Sequence, residues 1–103
     1  MVSIKGLHER VRSILDDIYI ESHEVRGVRN GFEIIQKYSR DNYVEKEELY
    51  INKKDYSISL YIDSIGTGSL TIVKDGKIEA KKISSEELEK TIKEIMAILG
   101  DNS

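Results

Sequence analysis

The stretch "YSISLYIDSIGTGSLTIV", residues 56–73, decides the fold, because two strand-like runs flank a pair of glycines. In residues 56–63 every second side chain is apolar or aromatic: Tyr56, Ile58, Leu60 and Ile62. A period of two is typical of a strand with one buried face. A second such run covers residues 69–73. The short connection between them predicts antiparallel neighbours in one sheet.

The glycine pair itself, Gly66 and Gly68, raises the question of a phosphate-binding loop. A P-loop has the pattern G-x-x-x-x-G-K-[ST], and a dinucleotide loop has G-x-G-x-x-G before a helix. Here no third glycine and no lysine stand in the required places, and a strand follows Gly68. The pattern therefore predicts a turn between two strands.

Further strand patterns extend the sheet in both directions. Upstream, strands are predicted near residues 24–29 and 32–39, joined at Asn30-Gly31. The charged run 43–51 is also predicted as a strand, with a short helix over "EKEEL" as the alternative. Downstream, residues 77–83 follow Asp75-Gly76.

The last hairpin, between residues 69–73 and 77–83, has two candidate registers. A two-residue loop would place Ile72 opposite Glu79, whereas a three-residue loop starting at Lys74 would place Ile72 opposite Ile78. Because the second register groups apolar side chains on one face, we predict the three-residue loop.

Two amphipathic helices bracket the strands. The first is predicted over residues 4–21, and its stripe recurs at three- and four-residue steps: Ile4, Leu7, Val11, Ile14, Leu15 and Ile18. The second is predicted over residues 85–99, with a capping box from Ser84 and Glu87 and an end at Gly100.

The order of elements predicts an α+β fold: an N-terminal helix, an antiparallel meander sheet of five or six strands, and a C-terminal helix. Both helices are expected on one face of the sheet. The 103 residues fit a single domain, 1–103, in which we expect residues 100–103 to form a frayed tail.

Composition narrows the class of protein. Hydrophobic residues make up 39% and charged residues 34%, the formal net charge is −3, and cysteine is absent. The acidic balance argues against a dedicated nucleic-acid binder, and the lack of cysteine excludes disulfides and thiolate zinc sites. No apolar run approaches a membrane span, so a cytoplasmic protein is expected. Abundant Ile, Lys and Glu favour a thermophilic archaeon or an archaeal virus, with codon bias in a mesophile as the alternative.

The sequence contains no recognisable motif for catalysis or metal binding. The two histidines, His8 and His23, do not form the H-E-x-x-H spacing of a zinc site, and no nucleophile stands out beside a base. We therefore predict no enzyme activity, no catalytic residues, no cofactor and no metal site.

Arginines and tyrosines are the candidate binding residues for a partner protein or nucleic acid: Arg12, Arg26, Arg29, Arg40, Tyr43 and Tyr61. Arginine beside aromatic residues can bind phosphates and stack on bases. The alternative, which we favour, is that these arginines pair with neighbouring acids, since residues 1–40 hold seven basic and six acidic side chains. Tyr56 and Tyr61 have opposite parity in one strand, so we expect a tyrosine on the face opposite the helices.

The predicted function follows partly by exclusion. We expect a small non-enzymatic interaction protein, a homodimer that binds a partner protein through an exposed sheet face or edge. The alternatives are an RNA- or DNA-binding module that uses the arginines and exposed tyrosines, and a small viral inhibitor of a host enzyme.

Overall fold

The computed structural model describes residues 4–21, 23–40, 45–63 and 65–100. The predicted Tyr43 site and, of the predicted tail at 100–103, residues 101–103 lie outside the described residues. Nine elements follow one another in this part of the chain: α1 (Ile4–Ile14), β1 (Asp17–Glu21), β2 (Glu24–Arg29), β3 (Phe32–Arg40), β4 (Glu45–Lys53), β5 (Tyr56–Ile62), β6 (Gly68–Lys74), β7 (Lys77–Ile83) and α2 (Ser85–Ile98). None of the described helices has the length and apolar character needed to cross a bilayer.

The strands form one open antiparallel sheet in the order β1-β2-β3-β4-β5-β6-β7. The predicted α+β class and antiparallel meander are confirmed. The predicted count of five or six strands is wrong, because the described residues form seven.

The additional strand comes from the end of the predicted first helix. That helix was expected to reach residue 21, but α1 ends at Ile14, and Ile18 lies in β1 rather than in the helical stripe. The Asp16 amide donates to the carbonyl of Val28 at 2.8 Å, and β1 then pairs with β2 along its whole length. The backbone N–H and C=O groups of β1 form their hydrogen bonds with β2, whereas in a longer helix they would have bonded within the helix. The spacing of apolar residues in the sequence does not show which of these two sets of hydrogen bonds forms.

One face of the sheet is covered and carries the core. Because cross-strand partners share a face, the register places the buried strand residues together: Val25, Ile34, Leu49, Ile51, Ile58, Leu60, Ile62, Leu70 and Ile83. The same buried cluster includes apolar side chains from both helices and from the residues directly after them: Val11, Leu15, Leu88, Ile92, Ile95, Met96 and Leu99. Side chains of the other parity form the second face, which is called the open face below.

The β2–β3 hairpin turns through Asn30-Gly31 and the β6–β7 hairpin through Asp75-Gly76, and all four of these residues have positive φ. Such turns match the twist of the strands they join. In the second hairpin Lys74 pairs with Lys77, so Ile72 lies opposite Glu79. The predicted three-residue loop is therefore wrong. Its premise was a buried face on β7, whereas six of the seven β7 side chains are exposed.

Helix α2 is fixed at both ends. At its start, the Ser84 Oγ accepts from the Glu87 amide at 3.3 Å and a Glu87 carboxylate oxygen accepts from the Ser84 amide at 3.2 Å, which is the predicted capping box. At its end, Gly100 has the positive φ of 86° that terminates many helices. The Asn30 side-chain amide donates to the carbonyl of Leu99, so a sheet turn also caps the helix.

The contact between Asn30 and α2 can be tested against the matched turn residue Asp75, since both have a φ of 52°. Alanine at either position adds the same backbone strain, but only Asn30→Ala also leaves the Leu99 carbonyl without its side-chain donor. We expect Asn30→Ala to lower the free energy of unfolding by about 1 kcal/mol more than Asp75→Ala does, as measured by urea denaturation. Equal losses in the two variants would show that the cap does not stabilise the fold.

Candidate functional site

The carboxylate of Asp63 accepts hydrogen bonds across the glycine loop between β5 and β6. The Ile65 and Thr67 amides each donate to the Asp63 Oδ1 at 3.0 Å, and the Thr67 hydroxyl donates to the Oδ2 at 2.5 Å. Chiefly through the Thr67 hydroxyl, these bonds hold the pKa of Asp63 below its usual value. A carboxylate thus occupies amide donors that a phosphate would need, which agrees with the prediction of a turn.

Two of the candidate arginines, Arg26 and Arg29, form ion pairs with nearby acids. Arg26 forms an ion pair with Glu24, which raises the pKa of the Arg26 guanidinium, and the Arg29 Nη1 lies 3.0 Å from the Asp16 Oδ1. The two arginines are three residues apart on β2, so their side chains leave opposite faces of the sheet. They do not converge on one ligand.

The remaining candidate residues are scattered. Arg12 is exposed on α1, Arg40 ends β3 with its side chain outside the described part, and Tyr61 lies on the open face of β5. Tyr56 packs against the core on the covered face, so the expected split between Tyr56 and Tyr61 is confirmed.

The open face is polar around Tyr61. A shallow depression of about 550 Å³ lies beside it, lined in part by Asp63, Ser69 and Lys82. Tyr50 lies on the same face of β4, and its hydroxyl donates to a Glu48 carboxylate oxygen at 3.2 Å. Burial, followed by the charge of Glu48, raises the pKa of Tyr50. Its hydroxyl is therefore an uncharged donor near neutral pH and no base.

The β1 edge is an exposed and largely apolar surface that the sequence analysis did not identify. All five β1 residues are exposed, and Ile18, Tyr19 and Ile20 retain 41%, 58% and 50% of their accessible surface. Ile18 and Ile20 project toward the covered side and Tyr19 toward the open side, and Val28 on β2 is 45% exposed. The signal in the sequence was "IYI", a β-branched and aromatic run flanked by acids.

The opposite edge, β7, has a different character. Its exposed side chains include Lys77, Lys81 and Lys82 with one acid, Glu79, and Ile78 is 73% exposed. Lysines on an edge strand commonly prevent unwanted pairing with another sheet. The β1 edge has no lysine and carries two acids, Asp17 and Glu21.

A buried polar pair lies within the covered face, where the sequence predicted only a charged strand. Gln36 is 0% exposed and Glu47 is 1% exposed, and the Gln36 Nε2 donates to the Glu47 Oε2 at 2.5 Å. Within the described residues, the Gln36 Oε1 has no hydrogen-bond partner. Neither residue lines any of the three surface depressions beside Tyr56, Tyr61 and Tyr19, and both are almost wholly buried, so we assign the pair to the core.

Among the described residues, no three His, Asp or Glu side chains cluster as the ligands of a metal ion would.

The exposed apolar residues of the edge strand β1 make it the best-supported candidate site. Comparison with protein-family models, with curated proteins and with solved structures gives no match for this chain.

Proposed function

We propose that the chain is a non-enzymatic interaction protein that binds through its β1 edge, and that a homodimer is the first assembly it forms. The observation that carries the proposal is the exposure of all five residues of an edge strand, three of them large and apolar. Contiguous exposed apolar side chains of this kind mark interaction sites more often than isolated ones do.

The backbone of β1 supports the same proposal. One side of β1 is bonded to β2, and its other side lies at the end of the sheet. An edge strand presents unpaired N–H and C=O groups that an incoming strand can complete. Strand addition of this type draws affinity from backbone hydrogen bonds and specificity from alternate side chains.

Nucleic-acid binding has weaker support. It would need arginines free to neutralise phosphates, whereas Arg26 and Arg29 are already paired with Glu24 and Asp16. The formal net charge of −3 also opposes association with a polyanion.

The proposal is tested by the variant Ile20→Lys, measured by sedimentation equilibrium over a range of protein concentrations. Ile20 lies at the exposed edge, so lysine there should leave the fold intact while adding a charge that strand pairing would desolvate. We expect the association constant to fall by about tenfold or more, equivalent to about 1.4 kcal/mol.

The matched control is Ile65→Lys, which makes the same change at a residue that is 71% exposed in the β5–β6 loop. The control should associate like the wild-type protein, and circular dichroism should show the same fold for both variants. A wild-type protein that stays monomeric at high concentration would overturn the proposal, and so would unchanged association of Ile20→Lys.

A further inference from the structure

The two edges of the sheet carry opposite charge. Asp17 and Glu21 are the charged residues of β1, and both are exposed acids. On β7 the three exposed lysines outnumber the single acid, Glu79. The charged side chains of the β1 edge are therefore negative, whereas those of the β7 edge are mainly positive.

Pairing between like edges is unfavourable on these charges. If two β1 strands paired antiparallel with Tyr19 opposite its counterpart, Asp17 of each copy would face Glu21 of the other. Like charges directly opposite each other destabilise a strand pair. Each β7 strand carries three lysines and one glutamate, so a pair of β7 strands would bring six lysines together with only two glutamates.

We infer that β1 of one copy pairs with β7 of the next copy, so that the chain assembles head to tail through its two unlike edges. The inference rests on the proposed function and specifies the partner surface of the same site. Unlike pairing sets the acids of β1 against the lysines of β7, and complementary charge of this kind selects partners and accelerates their encounter.

Side-chain character at the two edges fits this pairing. Each strand offers exposed isoleucine beside its charges, Ile18 and Ile20 on β1 and Ile78 on β7. The seven residues of β7 are enough to span the five of β1. The lysines of β7 thus repel the β7 edge of another copy and attract its acidic β1 edge. Specific interfaces commonly combine repulsion of one partner with attraction of another in this way.

Head-to-tail pairing leaves one free β1 and one free β7 at the ends of every open assembly. A heterologous contact therefore continues beyond the dimer unless the copies close into a ring. The mean mass of the wild-type protein should rise past the dimer as concentration increases, and the association should weaken as salt screens the charges.

The test reverses the charge of each edge separately. The first variant, Asp17→Lys with Glu21→Lys, makes β1 basic, and the second, Lys77→Glu with Lys82→Glu, makes β7 acidic. Lys81 is left unchanged because its charge acts on Glu87, which caps α2. We expect each variant alone to associate about tenfold or more weakly than the wild type, since its two edges now carry the same sign.

Mixing the two variants should restore association, because every contact between unlike copies again joins a basic edge to an acidic one. The control for the second variant, Lys54→Glu with Lys93→Glu, makes the same change in net charge at two exposed positions outside β1 and β7. That control should associate like the wild type.

The outcomes separate this inference from the proposed function. If Ile20→Lys abolishes association while Lys77→Glu with Lys82→Glu leaves it unchanged, β1 is the binding edge and the pairing with β7 is wrong. If the wild-type protein does not associate at all, both proposals fail. Loss in each charge-reversed variant with recovery in the mixture would support both.

Discussion

Replacing Glu47 by leucine is expected to lower the free energy of unfolding by about 3 kcal/mol, the typical loss when one partner of a buried polar pair is removed. Gln36 and Glu47 are almost wholly buried, and the Gln36 Nε2 donates to the Glu47 carboxylate. In Glu47→Leu that donor would remain in the core without its acceptor. Urea denaturation, with the midpoint and slope fitted together, measures the loss.

Two companion variants identify the cause of this loss. Glu47→Gln keeps an acceptor oxygen for the Gln36 amide and should be less damaging than Glu47→Leu. The double variant Gln36→Leu with Glu47→Leu removes donor and acceptor together, so it should be more stable than Glu47→Leu alone. A double variant that is no more stable than Glu47→Leu would contradict the argument, because removing the unpaired Gln36 amide would then have brought no gain.

Gly27→Ala is expected to lower the free energy of unfolding by about 2 kcal/mol, which is typical of a side-chain atom forced into a filled space. A Cβ at Gly27 would overlap the backbone carbonyl oxygen of Asp17 and the side chain of Leu15. Since Gly27 lies opposite Ile18 in the β1–β2 ladder, β1 would have to move away. Amide hydrogen exchange should therefore accelerate over residues 17–21 more than in the other strands.

Gly76→Ala is the matched control for Gly27→Ala. Gly76 has a φ of 77°, and no atom lies within 4 Å of the position that a Cβ would take, so alanine there meets backbone strain but no overlap. We expect a loss of about 1 kcal/mol with exchange in β1 unchanged. Equal exchange rates over residues 17–21 in both variants would show that Gly27 does not hold β1 in place.

Sequence periodicity predicted the strands and the helix that bury one face, but it missed the exposed strand β1 and gave the wrong register for the largely exposed strand β7. The alternation in β5 and the stripe of α2 both pack into the core, and both were predicted. In β7 the register is set by the Asp75-Gly76 turn and not by burial, so grouping Ile72 with Ile78 gave the wrong loop length.

The residues of the β1 edge show why the candidate site was missed. Ile18 continues the three- and four-residue spacing of α1 as well as it fits the alternation in "IYI". The choice between helix and strand depends on β2, whose Gly27 leaves room for Leu15 and for the Asp17 backbone. Such a contact between separate segments has no signature in a window of a few residues.

The arginine pairs could be anticipated from charge, because acids nearly balance bases in residues 1–40. The buried pair of Gln36 and Glu47 could not, since a glutamate in "EKEEL" reads as a solvated side chain. Only the register of β3 against β4, which puts Gln36 opposite Leu49 and Glu47 opposite Tyr38, brings the two polar groups to the covered side.

The uninterrupted strand order has a consequence for how the chain folds. Every strand pairs only with its neighbours in sequence, so each ladder can close over a short loop, and a low sequence separation of contacts is associated with rapid folding. During synthesis the hairpins can form one after another from the N-terminal side. Helix α2 leaves the ribosome after all seven strands, however, and the Leu99 carbonyl that Asn30 caps lies at its far end. A nascent chain therefore carries its sheet with much of the apolar face unshielded until α2 has emerged, which is the interval when chaperone binding would matter most.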